Sequence, residues 1–314
     1  MVLILGITAS GKGRLAFDLA KSVGAEIISI DSMKVYRRMD VGTAKPPKEA
    51  RAALKYHLID VVEPSDSFSV GAFLELAYNA IEQINSRKKP IIAVGGTALY
   101  IKALLYGLFE GPGTNEQIRA ALRAQAQKEG LVQLYRELTK IDPVAADRIS
   151  PNDSKRIIRA LEVYKITGKP ISSLQKQWNG GQKTEDRRQK DYDWKIIGLR
   201  REKSEENKRI NARVKKMIAA GLVDEVKSLL AEEKPLSPQA RCAIGYAEII
   251  DHLSGRIGLE NATELIKKNT RHLAKNQRTW FKTFKDVHWL DIEPEEPLEK
   301  TLDRTKTLLS ELFT

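Results

Sequence analysis

The sequence is poor in the residues that staple, ligate or anchor a chain. A single cysteine, Cys242, among 314 residues excludes an internal disulfide framework and points to a reducing compartment. With only four histidines beside it, no cluster of zinc-finger spacing can be assembled. Aromatic residues make up 6% of the chain, and no apolar run approaches the roughly 20 residues that a membrane-spanning helix needs. Met1-Val2-Leu3 runs straight into apolar sequence without the layout of a secretory signal. A cytoplasmic protein without membrane contact is expected.

What is present is ordinary in apolar content, 42%, and unusual in charge, +12 with a pI near 9.5. The length predicts about two domains with a sizeable core. The charge suggests a polyanionic partner; the alternative is a merely well-solvated basic surface.

The first dozen residues carry the strongest signal. Val2-Leu3-Ile4-Leu5 reads as a strand buried on both faces, as in a parallel sheet. Gly6-Ile7-Thr8-Ala9-Ser10-Gly11-Lys12 meets the G-x-x-x-x-G-K pattern of a phosphate loop in a nucleotide-binding protein, and helical spacing follows through Leu15, Leu19 and Val23. Backbone N–H groups and a helix N-terminus then face an anion, and Lys12 adds a point charge. The next position, usually Ser or Thr, is Gly13. A glycine-rich turn with an incidental lysine is the plainer alternative.

Further strands are predicted over 25–31, 57–62, 90–94, 194–199 and 287–291, with helical patterns between them, notably over 70–84. Alternation of this kind argues a parallel sheet whose ligands sit at the carboxyl ends of the strands. Asp31 and the Gly95-Gly96-Thr97 turn therefore belong near the phosphate loop. For Asp31 the plainer role is to cap the segment beginning at Ser32. From Gly111 the pattern turns helical, over 116–128, 131–140 and 153–167, which predicts a helical insertion over 111–192 closed by a mobile polar loop at 182–191. The core is then 1–110 with 193–314. Later helices are predicted over 205–230, 244–253 and 259–284.

The last of these has seven Lys or Arg residues from Leu265 to Lys285 and no acid. Lys267, Arg271, Lys275, Arg278, Lys282 and Lys285 fall on one stripe at the helical period, while Ile266, Leu273, Trp280 and Phe284 suit a packed face. A solvated helix usually mixes signs to gain i,i+4 pairs, so contact with a nucleic-acid backbone is preferred over a plain solvent face.

Several segments together resemble one family. Gly6 to Lys12, then Asp31-Ser32-Met33-Lys34-Val35-Tyr36, Gly42-Thr43-Ala44-Lys45-Pro46, Gly95-Gly96-Thr97-Ala98-Leu99-Tyr100, the run from Asp153 through Lys155, Arg156, Ile157, Ile158 and Arg159 to Glu162, Ala243-Ile244-Gly245-Tyr246, and Thr270-Arg271 through Trp280-Phe281 resemble, in order, the bacterial tRNA dimethylallyltransferases (isopentenyltransferases). The resemblance implies a kinase-like phosphate-loop α/β core with a helical insertion. It implies transfer of a dimethylallyl group from dimethylallyl diphosphate to N6 of adenine 37 in tRNA, with Mg²⁺ as cofactor and a monomeric enzyme.

By the same resemblance, diphosphate falls to Gly6, Thr8, Ala9, Ser10, Gly11, Lys12, Gly13 and Arg159, and Asp31 is the general base with Thr97 in support. Contact with tRNA falls to Asp31, Ser32, Met33, Lys34, Thr97, Arg119, Lys155 to Arg159, Cys242, Ala243, Ile244, Gly245, Tyr246 and Ala247. Arg271, Lys275, Arg278 and Lys282 of the basic stripe join them on charge. Gly13 departs from the family, as do His272 and Asn276 where Gln and Arg are usual. Without a hydroxyl at position 13, Mg²⁺ is expected to depend more on the substrate's own phosphate oxygens and to be needed at higher concentration. Two alternatives stay open: a phosphate-loop kinase of small molecules, and an RNA-binding relative whose activity has weakened.

Overall fold

The computed structural model describes residues 1–108, 111–175 and 192–313. They form two compact units, residues 1–105 with 191–314 and residues 106–190. The loop predicted over 182–191 lies outside the described residues.

The larger unit is built on β1 (Val2–Gly6), β2 (Glu26–Ile30), β3 (Tyr56–His57), β4 (Ile91–Gly95), β5 (Lys195–Arg200) and β6 (Val287–Asp291). They run in the order β3-β2-β4-β1-β5-β6, every neighbouring pair parallel. β1, β2 and β4 are buried along their whole length, which is why they read as unbroken apolar runs rather than alternating ones. Val2 and Ile4 pack with Leu15, Leu19, Ile197 and Leu309 on one face; Leu3 and Leu5, fully buried as well, face the other side by the period of a strand.

The chain leaves β1 for β2 on one side and returns for β5 on the other, so the order in which strands are added reverses at β1. Ligands in parallel sheets collect at such a reversal, beyond the strands' carboxyl ends. The loop after Gly6, Asp31, Gly96-Thr97 and Arg201 each follow directly on β1, β2, β4 and β5.

The helices of the first half are α1 (Lys12–Val23), α2 (Lys48–Ala53), α3 (Val70–Ser86) and α4 (Ala98–Tyr106). α1 is bounded by two left-handed glycines, Gly11 at its start and Gly24 at its end. The strand predicted over 57–62 stops at His57. Leu58 and Asp60 take positive φ values of 62° and 56°, turning the chain out of the sheet. The Asp60 and Val61 N–H groups instead donate to the Lys34 and Val35 carbonyls at 3.2 and 2.8 Å.

The smaller unit contains α5 (Glu116–Glu129), α6 (Leu131–Ile141), α7 (Pro143–Arg148), α8 (Ser154–Thr167) and α9 (Ile171–Leu174). Leu122, Leu134, Leu138, Ile157 and Leu161 form its core. Asp153 caps α8 through the Arg156 N–H, and Asp142 caps α7 through the Ala145 N–H, a contribution of about 1 kcal/mol each.

After β5 come α10 (Lys203–Ala219), α11 (Leu222–Leu230), α12 (Pro238–Arg241), α13 (Tyr246–Leu253), α14 (Leu259–Phe281) and, after β6, α15 (Leu298–Phe313). The helical pattern over 205–230 is thus two helices, parted at Gly221 with φ 90°. α14 ends at Phe281, short of the predicted 284.

Candidate active site

The loop from β1 into α1 is held from several directions. A Cβ on Gly6 would lie 2.8 Å from Ser10 Oγ and 3.2 Å from the Leu199 carbonyl, so only glycine fits there. Ala9 and Gly11 turn the loop with φ values of 63° and 101°. The Ser10 hydroxyl accepts from the Lys12 N–H at 3.4 Å. On the loop's carbonyl side, Arg209 Nε donates to Ala9 O at 2.9 Å and Arg201 Nε to Ser10 O at 3.1 Å. Thr8 N–H donates to Gln277 Oε1 at 2.8 Å, and Gln277 Nε2 donates to Gly96 O at 2.8 Å. The buried Gln277 of α14 therefore ties the loop to the turn after β4.

These bonds revise one expectation. The whole row of amides from Thr8 to Gly13 was assigned to an anion, yet Thr8 is committed to Gln277 and Ser10 donates to the Ile7 carbonyl at 3.3 Å. Among the described residues, the N–H groups of Ala9, Gly11 and Gly13 donate to nothing. These three amides are open to a ligand.

The Lys12 ammonium donates to Ile7 O at 3.0 Å and lies 3.4 Å from where a Gly96 Cβ would stand, between the ends of β1 and β4. Its pKa falls to about 7, chiefly through burial, with Lys34 and Arg213 adding repulsion and Asp31 opposing them. Burial lowers Lys34 and Arg213 too, again against the pull of Asp31. Three cations thus share one carboxylate. Arg213, which sequence reasoning missed, sits one helical turn beyond Arg209 on α10, on the face that meets the loop.

Asp31 takes the capping role weighed for it, and one of its oxygens is left over. Oδ1 accepts the Met33 and Lys34 N–H groups at 2.9 and 3.2 Å, fixing the turn; Oδ2 accepts no hydrogen bond among the described residues. Thr97 Oγ1 accepts the Ser32 N–H at 3.0 Å and donates to Ser32 Oγ at 3.5 Å, so it positions the Asp31 turn.

Behind that turn the loop is braced by matched charge. Lys45 Nζ meets Tyr36 O, Asp40 Oδ1 and Asp60 Oδ1 at 2.5, 2.7 and 2.5 Å. Glu225 of α11, also unforeseen, accepts the N–H groups of Asp40, Val41 and Gly42 at 2.9, 2.7 and 3.1 Å, and the Tyr246 hydroxyl at 2.6 Å.

Other residues assigned to tRNA are placed less simply. Tyr246 is fully buried and Ala243 nearly so; their side chains face the core and cannot meet RNA. Cys242 is exposed, and Met33, Ile244 and Ala247 are half-buried. In the smaller unit Ile157 is a core residue, Ile158 packs partly against that core, and Lys155 and Arg156 are exposed. Arg119 and Arg159 both bind the wholly buried Glu162, Arg119 through two bonds of 2.9 and 3.0 Å and Arg159 at 2.6 Å. Burial would raise the Glu162 pKa, but these guanidiniums and the Asn115 N–H hold it below the usual range.

The basic stripe of α14 is broken. Lys267 is buried and paired with Glu264 at 2.6 Å, Arg278 pairs with buried Glu206, and Arg271 donates to Asn211 at 2.7 Å. Lys275 and Lys282 are exposed. Ile266 and Phe284 are buried as expected, but Leu273, expected on the same face, is 39% exposed, and Ala274, Gln277 and Phe281 are buried there instead.

A parallel sheet, a phosphate loop after its central strand and a carboxylate after the next define a phosphate-loop protein of the kinase-like α/β class. Comparison narrows the class. The IPP transferase family profile matches residues 34–284. The chain is 45% identical over 291 residues to the tRNA dimethylallyltransferase of Geobacter metallireducens, covering 93% of this chain and 92% of that one. It is 41% identical over 313 residues to that of Thermotoga maritima, covering 100% and 99%. Among solved structures, the full-length tRNA isopentenylpyrophosphate transferase of Bacillus halodurans superposes with a TM-score of 0.71 at 38% identity, over 99% of this chain and 95% of that one. A eukaryotic dimethylallyltransferase acting on tRNA gives 0.80 at 27% identity, over 99% and 79%. The chain belongs to the tRNA dimethylallyltransferase (IPP transferase) family.

Proposed function

We propose that the chain transfers a dimethylallyl group from dimethylallyl diphosphate to N6 of adenine 37 in tRNA and releases diphosphate. One observation carries the reading: a carboxylate with an uncommitted oxygen stands among cations, at the same sheet end as the open loop amides. The adenine amine attacks the allylic carbon, the C–O bond to diphosphate breaks with its electron pair leaving on oxygen, and the N6 proton passes to Asp31 Oδ2. Amides and cations aimed at the departing oxygens stabilise the charge that grows there. A general base within reach of the amine adds about 10²–10⁴-fold. Thr97 and Ser32 keep the Asp31 turn in register. On the smaller unit the exposed Lys155 and Arg156 are proposed to face RNA, while Arg119 and Arg159 are committed to Glu162. Lys275 and Lys282 are proposed to meet RNA phosphates. An adenine in an anticodon loop is already unpaired, so extruding it is inexpensive.

Mg²⁺, expected from the family resemblance, does not fit a protein-held site here. Gly13 offers no hydroxyl, Ser10 and Thr97 hydroxyls each accept a backbone N–H, and among the described residues Asp31 is the carboxylate that acts on Lys12, Lys34 and Arg213. Among the described residues no three His, Cys, Asp or Glu side chains gather as a metal group. No step is routed through a metal.

The test is incubation with unmodified tRNA and dimethylallyl diphosphate, followed by nucleoside mass spectrometry. N6-dimethylallyladenosine is expected. Steady ATP consumption without RNA, and no prenylated nucleoside, would replace the reading with the kinase alternative, which none of the relatives above favours.

A further inference from the structure

Resting on that reading, we propose that the charge of the departing diphosphate is neutralised in this chain by Lys12, Lys34 and Arg213, in place of a divalent metal held by the protein. The argument begins with which charges are already matched. Lys45, beside Lys34, is satisfied by Asp40 and Asp60. The trio has Asp31 alone, and Asp31 spends one oxygen on two backbone amides. Neither the Lys34 ammonium nor the Arg213 guanidinium donates a hydrogen bond to any described residue, although both are half-buried. Holding like charges together in a desolvated site is unfavourable, and a multiply charged anion is what relieves it.

The placement of the trio follows from the fold. Lys12 stands between β1 and β4, as its contacts with Ile7 O and the Gly96 position show. Lys34 is held beside Asp31 by its own N–H. Arg213 lies on the α10 face whose Arg209 grips Ala9 O. The Arg209 guanidinium, one helical turn from Arg213, comes within 3.8 Å of where a Gly11 Cβ would stand. Gly13 is the complementary fact. Nothing lies within 4 Å of where its Cβ would be, so the space for a metal-binding hydroxyl exists and the ligand does not. Mg²⁺ gives up water reluctantly and normally takes one or two protein oxygens besides phosphate; this loop supplies ammonium and guanidinium donors instead.

Calorimetric titration of inorganic diphosphate into the full chain, in EDTA and in excess Mg²⁺, tests this without any turnover. In EDTA the dissociation constant should stay within about 3-fold of its Mg²⁺ value. Lys34→Gln should weaken metal-free binding by roughly 10- to 100-fold, the range for a lost hydrogen bond to a charged group, while Lys34→Arg should keep it near the parent. Gly13→Thr should make binding respond to Mg²⁺ by about 10-fold or more. Circular dichroism checks that each variant is folded. If the parent loses about 10-fold or more in EDTA, or if Lys34→Gln binds diphosphate like the parent, the proposal fails. Metal-free binding by a protein that makes no prenylated adenosine would instead overturn the functional reading and leave the anion site standing.

Discussion

Two clusters of charge, one in each unit, are built from the same residue types to opposite ends. Around Glu162 the carboxylate is wholly buried, and Arg119, Arg159 and the Asn115 N–H satisfy both its oxygens. Around Asp31 three cations share one carboxylate that is only half committed. The first arrangement is complete without a ligand. The second carries surplus positive charge and an open acceptor, which the proposed diphosphate and adenine amine would match. Balance suits a brace and imbalance suits the binding site proposed above, a distinction that residue identity alone does not make.

The sharpest way to break this comparison is at Asp31. Asp31→Ala should lower kcat by about 10²–10⁴-fold with tRNA affinity little changed; activity within a few-fold of the parent would leave the open oxygen without a role. Next in size is Glu162→Gln, which strips the countercharge from two arginines. Both are roughly a quarter exposed, so the loss should fall near the low end for a broken buried pair, about 3 kcal/mol, read by urea denaturation. A change below about 0.5 kcal/mol would show that the Glu162 cluster is no brace.

A third test uses acid. Burial opposes ionisation of Glu26, but Arg87 and His57 overcome it and hold its pKa at about 2. Because the folded value is depressed, Glu26 contributes stability above the ordinary carboxylate pKa, and that stability drains away as pH falls toward 2. Glu26→Gln should lower stability at neutral pH and flatten the profile across that window; parallel profiles would remove Glu26 from the account.

The smallest effect concerns α14. Lys275→Gln and Lys282→Gln should each flatten the slope of log K for tRNA against log salt by about 0.7–0.9. Arg278→Gln, which unpairs buried Glu206, should lower stability and leave the slope nearly unchanged. Equal slopes for all three variants and the parent would assign the helix to solvent.

Those tests also trace what could be read from sequence. β1, the loop and Asp31 were legible because their signals are local: an unbroken apolar run, two glycines at fixed spacing, a carboxylate at a strand end. Gln277 and Arg209 were not, because they reach the loop from 269 and 200 residues away. The stripe on α14 shows a different limit. Helical periodicity sorts residues into faces but does not say which face is turned inward, so Leu273 was set in the core while Lys267 and Gln277 occupy it. In 57–62 the apolar run was real, but the positive φ at Leu58 and Asp60 was invisible to propensity.

Gly42 and Tyr246 carry a consequence for how this sequence can drift. A Cβ on Gly42 would stand too close to Cε2 of the Tyr246 ring to be tolerated, while the Tyr246 hydroxyl and the Gly42 N–H both bind Glu225 Oε1. The three positions work as a lock: a larger residue at 42 is admissible only once the ring at 246 has shrunk, and a shrunken ring leaves Glu225 short of a donor. Single-step substitution is therefore closed in either direction. The segment that presents the Asp31 turn has its history tied to two helices far along the chain, and a paired exchange at 42 and 246 is the route by which it can change.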